Sequence, residues 1–161
     1  MTREIDFHAL AAPFPAADIT WRVQACGMGN KGPWARVLAY VTARAIQGRL
    51  DHVCGPANWC NTFDKAPDGG VLCGLSLNVG GSWVTKWDGA ERTQVEAVKG
   101  GLSGAMKRAA VQWGIGRYLY RLPTGWAVII PEGQYFQPAS HKGGTPAFSW
   151  NPPALPAWAL P

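Results

Sequence analysis

The sequence contains no apolar run approaching the roughly 18 residues needed to cross a bilayer. Met1 to Leu10 mixes Arg3, Glu4, Asp6 and His8, unlike the basic-then-apolar order of a secretory signal. A cytoplasmic location and no membrane partner are therefore expected. Metal-ligand patterns are also missing. The four Cys (26, 54, 60 and 73) include no CxxC pair and have no His nearby at ligand spacing, so they read as buried, reduced thiols rather than a zinc site. His8, His52 and His141 are scattered, and no Ser or Cys sits in a nucleophile elbow or a Cys/His signature. There is no GxxxxGK[ST] phosphate cradle, which excludes an ATP-driven motor. Pro67-Asp68 could open a nuclease motif, but no acid precedes a Lys by two positions downstream, and the ten acids form no cluster able to hold catalytic ions. No enzyme activity, cofactor or metal is expected.

One motif is present yet misplaced. Gly27-Met28-Gly29-Asn30-Lys31-Gly32 matches GxGxxG, with Asp51 at the distance of a ribose-binding acid. A dinucleotide site needs a helix opening at the third glycine. Here Pro33 and a strand-like run follow, and Asp51 falls inside a helical pattern, so the segment reads as a flexible hairpin loop.

What remains is a chain able to build a core. Of 161 residues 47% are hydrophobic and nine are Trp, which argues for a single folded domain rather than disorder. Core packing is the first reading for those Trp. A net charge of +5 and a pI near 9.2 lean towards a polyanionic partner, and 14 of the 15 Lys and Arg precede Pro131.

The hydropathy pattern predicts an α+β fold. Trp21 to Cys26 and Trp34 to Val41 form a β-hairpin around a 27–33 loop. Thr42 caps a helix over about 43 to 54, with Ala45, Ile46, the Arg49 stem, Leu50 and Val53 on one face and a stop at Gly55-Pro56. A three-stranded antiparallel meander follows: Trp59 to Phe63, Val71 to Val79, and Ser82 to Trp87. Pro67 to Gly70 makes its first turn and Gly80-Gly81 its second, since both glycines tolerate positive φ. Thr93 and Glu96 form a capping box for a long helix with Val95, Val98, Leu102, Met106, Ala109 and Trp113 on its apolar stripe, ending at Gly114. Residues 132–161 read as an irregular Pro-rich tail, because seven Pro fall between 131 and 161 and no period is visible. Phe136, Phe148, Trp150 and Trp158 give that tail the means to dock.

The long helix carries Lys107 and Arg108 on the arc opposite its apolar stripe, with Lys99 at the flank. Either a solvated face or a phosphate contact explains them. Gly100, Gly101 and Gly104 each cost about 1 kcal/mol in a helix interior, so a neighbouring strand, a second subunit or a nucleic-acid backbone must approach closely there.

The stretch EAVKGGLSGAMKRAAVQWGIGRYLY, within Val95 to Tyr120, resembles the signature helix of the Rad-fifty-two-type single-strand annealing proteins. Pro13-Phe14-Pro15 with Ile19-Thr20-Trp21-Arg22-Val23 resembles that family's entry into its first strand, and Gly55-Pro56-Ala57-Asn58-Trp59 its turn after the first helix. Bacterial and phage members are most similar, and the resemblance covers about residues 10 to 125. It implies ATP-independent binding of single-stranded DNA and annealing of complementary strands in recombination or double-strand break repair, in the cytoplasm of a bacterial or phage-infected cell. It further implies a ring or filament of many subunits, residues 1–131 being the annealing domain, with a single-strand binding protein as a candidate partner. By residue, it implies DNA contacts at Lys107, Arg108 and Arg22, then Lys31, Arg44 and Lys99. Asn78 and Val79 stand where the family often has a basic residue for an outer DNA site, with Lys86 the nearby substitute. A DNA-end or single-strand protection protein without annealing activity is the alternative.

Overall fold

A computed structural model describes residues 4–91, 97–140 and 143–161, with side chains left out at 97–100. It is an α+β fold built largely on antiparallel pairing. Two compact units divide the chain: residues up to 14 with 41–118 and Pro161, and residues 15–40 with 119–160.

The first unit begins with α1 (Phe7–Ala11), whose N-cap Asp6 accepts from the Ala9 amide at 3.0 Å. Helix α2 (Ala43–Cys54) lies where the pattern predicts, with the Thr42 hydroxyl accepting from the Ala45 amide at 3.2 Å. Its stop, Gly55, sits at φ +91°, which a side chain would disfavour. Ile46, Leu50, Val53 and Cys54 form its buried face. Arg49 lies on the same side of the helix but donates to the carbonyls of Ala9, Leu10, Ala12 and Pro13, its guanidinium 3.9 Å from the Phe14 ring centroid. Its charge thus ties the N-terminal segment to α2.

Strands β3 (Trp59–Lys65), β4 (Val71–Val79) and β5 (Ser82–Ala90) form the expected meander in the order β3-β4-β5. Gly80 and Gly81, both at positive φ, make the tight turn that sets Val79 opposite Ser82. In β4 the five residues Cys73 to Leu77 are all buried, as suits a central strand. One sheet face, with Val71, Cys73, Leu75 and Leu77, packs against helix α3 (Ala97–Gln112). On the other face the Trp87 indole covers Gly74, and the Ser76 and Thr85 hydroxyls share a hydrogen bond at 2.6 Å.

Gly101, Ala105, Met106, Ala109, Ala110 and Trp113 are buried among the described residues of α3 and its end, and the Trp113 indole donates to the Leu75 carbonyl at 2.9 Å. The capping-box pair Thr93 and Glu96, and Val95, lie outside the described residues. Two of the helix glycines have a structural explanation. A Cβ on Gly101 would sit 2.8 Å from Val71 Cγ2, and one on Gly104 would sit 3.2 Å from Ala90 Cβ. The close neighbour at both is the protein's own sheet. The helix ends at Gly114, φ +91°, with the Ile115 amide donating to Ala110 and the Gly114 amide to Val111, a Schellman arrangement.

The second unit holds β1 (Ile19–Gly29) and β2 (Gly32–Val41), with β6 (Gly125–Trp126) added beside β2. The hairpin departs from expectation. The strands run through the 27–33 segment to a turn at Asn30-Lys31, so most of the GxGxxG match is strand. Gly27 is glycine because the Trp34 ring lies against it: a Cβ there would be 2.8 Å from Trp34 Cζ2.

The tail departs further. Instead of being irregular, β7 (Val128–Ile129), β8 (Tyr135–Gln137) and β9 (Phe148–Asn151) form a sheet in the order β7-β9-β8. Trp150 is almost wholly buried and stacks on Tyr135 at 4.6 Å between ring centroids. A boundary at Pro131 falls between β7 and β8, which share β9 as partner. Strands of two to four residues are too short to show a period, and their pairing is non-local.

Overpacking at the helix–sheet contact is directly testable. Gly101→Ala should gain about 1 kcal/mol in helix propensity but lose roughly 1–3 kcal/mol by overpacking against Val71, for a net destabilisation. In urea unfolding, the Gly101→Ala/Val71→Ala double variant should lose less stability than the two single changes summed.

Candidate functional site

Helix α3 places its two adjacent cations by simple geometry. Met106 and Ala109 are buried on either side of the pair, so Lys107 and Arg108 must leave the core. Lys107 is half-buried and Arg108 is exposed. Arg108 Nε lies 3.3 Å from Asp88 Oδ1, with 57% and 24% of the respective side chains exposed.

Asp88 was not foreseen among the site residues. It opposes Cys73 across the β4–β5 ladder, on the sheet face that meets α3. Gln112 Nε2, one turn beyond Arg108, donates to its other oxygen at 2.9 Å, and the Gly89 amide donates to Oδ1 at 2.7 Å. Burial acts to raise the Asp88 pKa. The Gln112 bond, the Gly89 bond and the Arg108 charge outweigh it and hold the carboxyl below its ordinary range. The alternation of β5 was the available signal, since it puts Lys86 and Asp88 on one face; only the packed helix shows which face that is.

The other expected cations are distributed over both units. Arg44 is exposed in the first turn of α2. Arg22 is exposed on β1, and Lys31 is exposed at the β1–β2 turn. Lys99 lies in α3, with its side chain outside those described. Arg36 on β2 is a further exposed cation that the sequence reading passed over; its Nε donates to Gln24 Oε1 at 2.9 Å.

Some cations serve the fold. Arg117 donates to the carbonyls of Val111 and Gln112, and Lys86 Nζ lies 3.3 Å from the Gln112 carbonyl oxygen and 4.6 Å from the Trp113 ring centroid. Both neutralise the carbonyl end of α3. Lys86, the substitute for a second basic site, is thus held against the helix.

Among the described residues no three His, Cys, Asp or Glu gather to hold a metal, and no helix is long and apolar enough to cross a membrane. Cys54 and Cys73 are buried, and burial pushes the Cys73 thiol up to about 11. Cys26 is half-buried and Cys60 exposed, so burial as expected for all four holds for two. Asp51 accepts the Trp59 indole N–H at 2.7 Å, a structural role in place of a ribose contact.

Comparison with known proteins assigns the family. A family model described as Rad52/22 family double-strand break repair protein matches residues 6–131. A single-stranded DNA-binding protein DdrA from Deinococcus radiodurans is 42% identical over 122 residues, covering 73% of this chain and 56% of the relative. The DdrA of Deinococcus deserti is 34% identical over 154 residues, covering 94% of this chain and 68% of the relative. The chain thus spans little more than half the length of the first of these. No solved structure gives a significant match.

The Asp88 contact has a pH signature. Its depressed folded pKa means that the carboxylate contributes stability above its unfolded pKa, and the contribution disappears as pH falls through the folded value. In heteronuclear NMR of arginine side chains, the Arg108 Nε–H signal should be exchange-protected at neutral pH. It should lose protection below the usual carboxylate range, and at every pH in Asp88→Asn. The same substitution should cost less than about 1 kcal/mol, as for an exposed pair.

Proposed function

Because the chain belongs to the Rad52/22 family of double-strand break repair proteins, we propose that it binds single-stranded DNA and anneals complementary strands without ATP. The observation that carries this reading is the Lys107-Arg108 pair, displayed on α3 at the position the resemblance assigns to the basic pair. Two relatives whose names describe single-stranded DNA-binding proteins support it. Annealing is downhill once complementary strands meet, so the protein needs to remove self-structure and present bases, with no bond to make or break. Lys107 and Arg108, with Arg22, Lys31, Arg44 and Lys99, supply a sequence-independent phosphate term. Non-enzymatic action in recombination or repair, in the cytoplasm of a bacterial or phage-infected cell, follows from this reading. A single-strand binding protein is the natural competitor or loading partner.

Many subunits are part of the proposal. One domain of this size offers a short basic path, whereas annealing requires many nucleotides held together. The exposed edge of β5 and the Gly80-Gly81 turn are the expected neighbour contacts, with the C-terminal segment reinforcing them.

The experiment is renaturation of complementary oligonucleotides with purified protein, without ATP and with and without magnesium. Acceleration in both conditions is expected. DNA binding with slowed renaturation would instead identify a strand-protection protein, and cleavage with magnesium would identify a nuclease. Lys107→Ala and Arg108→Ala should each weaken binding regardless of sequence and lower the slope of log K against log salt by about one. Binding unchanged in both variants at two salt concentrations would remove this site. Solution mass with and without DNA tests assembly, and a monomer in both would refute the ring or filament.

A further inference from the structure

The basic residues account for phosphate and leave the bases without a partner on the protein. The hairpin unit contains one. Arg36 and Trp126 are direct partners across β2–β6, so their side chains project to the same side of the sheet. Trp34, two residues before Arg36, shares that side by strand alternation. The Trp34 and Trp126 rings meet edge to face, with centroids 6.1 Å apart and planes at 73°. Both are exposed, at 40% and 54%. Gln24 reaches Arg36 from β1, which puts Gln24 and its alternate neighbour Arg22 on this face too.

This surface is costly to expose unless something covers it, and its charge indicates what. Residues 19–41 contain Arg22, Lys31 and Arg36 and no Asp or Glu, and 125–129 contain no charge. Two indoles bordered by cations, on strands without a carboxylate, match a polyanion with flat apolar groups. The aromatic corner is also held in place. Trp34 lies so close to Gly27 that a Cβ there would meet its ring at 2.8 Å, leaving the ring little rotational freedom to lose on binding. Arg36 is oriented through Nε by Gln24, and the terminal nitrogens of a guanidinium are the pair suited to a phosphate.

We propose that Trp34 and Trp126 form a stacking site for an unpaired nucleobase of single-stranded DNA, with Arg36 on the adjoining phosphate. This rests on reading the chain as a single-strand binder and adds base contact to it. Such a site explains why a strand-annealing surface would carry two exposed indoles: a stacked base is held out of self-structure yet is released to a complementary strand, because stacking uses none of its pairing edge.

The test compares labelled oligo-dT with an abasic oligonucleotide of equal length and phosphate number, by fluorescence anisotropy of the label. The wild type should bind oligo-dT on the order of tenfold more tightly per stacked base. Trp126→Ala and Trp34→Ala should bring that ratio towards one while leaving the abasic affinity nearly unchanged, and Trp126→Phe should retain most of it. Arg36→Gln should weaken both oligonucleotides equally and lower the salt slope by about one. Gly27→Ala, which displaces the Trp34 ring, should lower the ratio with Trp34 and Trp126 both present. An unaltered ratio in both Trp→Ala variants overturns the stacking site while leaving single-strand binding intact. Failure of the wild type to bind either oligonucleotide overturns the underlying reading as well. A change in solution mass of Trp126→Ala, with the ratio unchanged, would assign the face to a second copy of the chain and also defeat the proposal.

Discussion

The closeness of α3 to its sheet sets the geometry of the first unit. Two positions without side chains, Gly101 and Gly104, let the helix lie against Val71 and Ala90. The helix continues along the sheet until Trp113 reaches the Leu75 carbonyl. With those contacts in place, its rotation about its own axis is set. Met106 and Ala109 must then face inward and Lys107 and Arg108 must face away. The cation display is therefore a by-product of packing: any change that rotates the helix moves charge as well as core. The cost is local, since helix propensity is surrendered at both glycines.

Cations in this protein divide by what surrounds them. Arg49 serves four carbonyls and a ring, and Arg117 and Lys86 answer the carbonyl end of α3. Arg108 and Arg36 are each held through Nε by one acceptor, Asp88 and Gln24. A positive net charge alone does not distinguish these uses. For Arg108 the acceptor is itself charged, so a phosphate arriving there meets a carboxylate already in place. Arg36 has a neutral acceptor and, among the described residues, no carboxylate partner.

Legibility in the sequence followed the range of the forces involved. Helix α2 was readable to the residue because Thr42 and Gly55 act within one turn, and the Gly80-Gly81 hairpin because both glycines adopt the positive φ that a tight turn needs. The Lys107-Arg108 pair was readable from helical spacing. The 27–33 segment was misread because glycines suggest a loop, whereas here Gly27 accommodates an indole from the facing strand. The β7-β9-β8 sheet was invisible, since its strands are short and its partners lie far apart in sequence. Asp88 gains meaning only once β5 and α3 are packed together. The Trp residues were read as core by default, yet five of the nine are exposed. Composition cannot tell an indole that fills space from one that presents a surface.

That division of the indoles has an optical consequence. Trp21, Trp113 and Trp150 are buried, Trp59 is half-buried, and Trp34, Trp83, Trp87, Trp126 and Trp158 face solvent. Intrinsic emission from the folded chain is therefore a composite, weighted towards the long wavelengths of wet indoles even in the native state. Unfolding shifts only the buried minority, so the native and unfolded spectra differ less than nine Trp would lead one to expect. A neutral quencher such as acrylamide separates the two populations by accessibility. Iodide, drawn to a basic surface, samples first the indoles that lie beside the arginines.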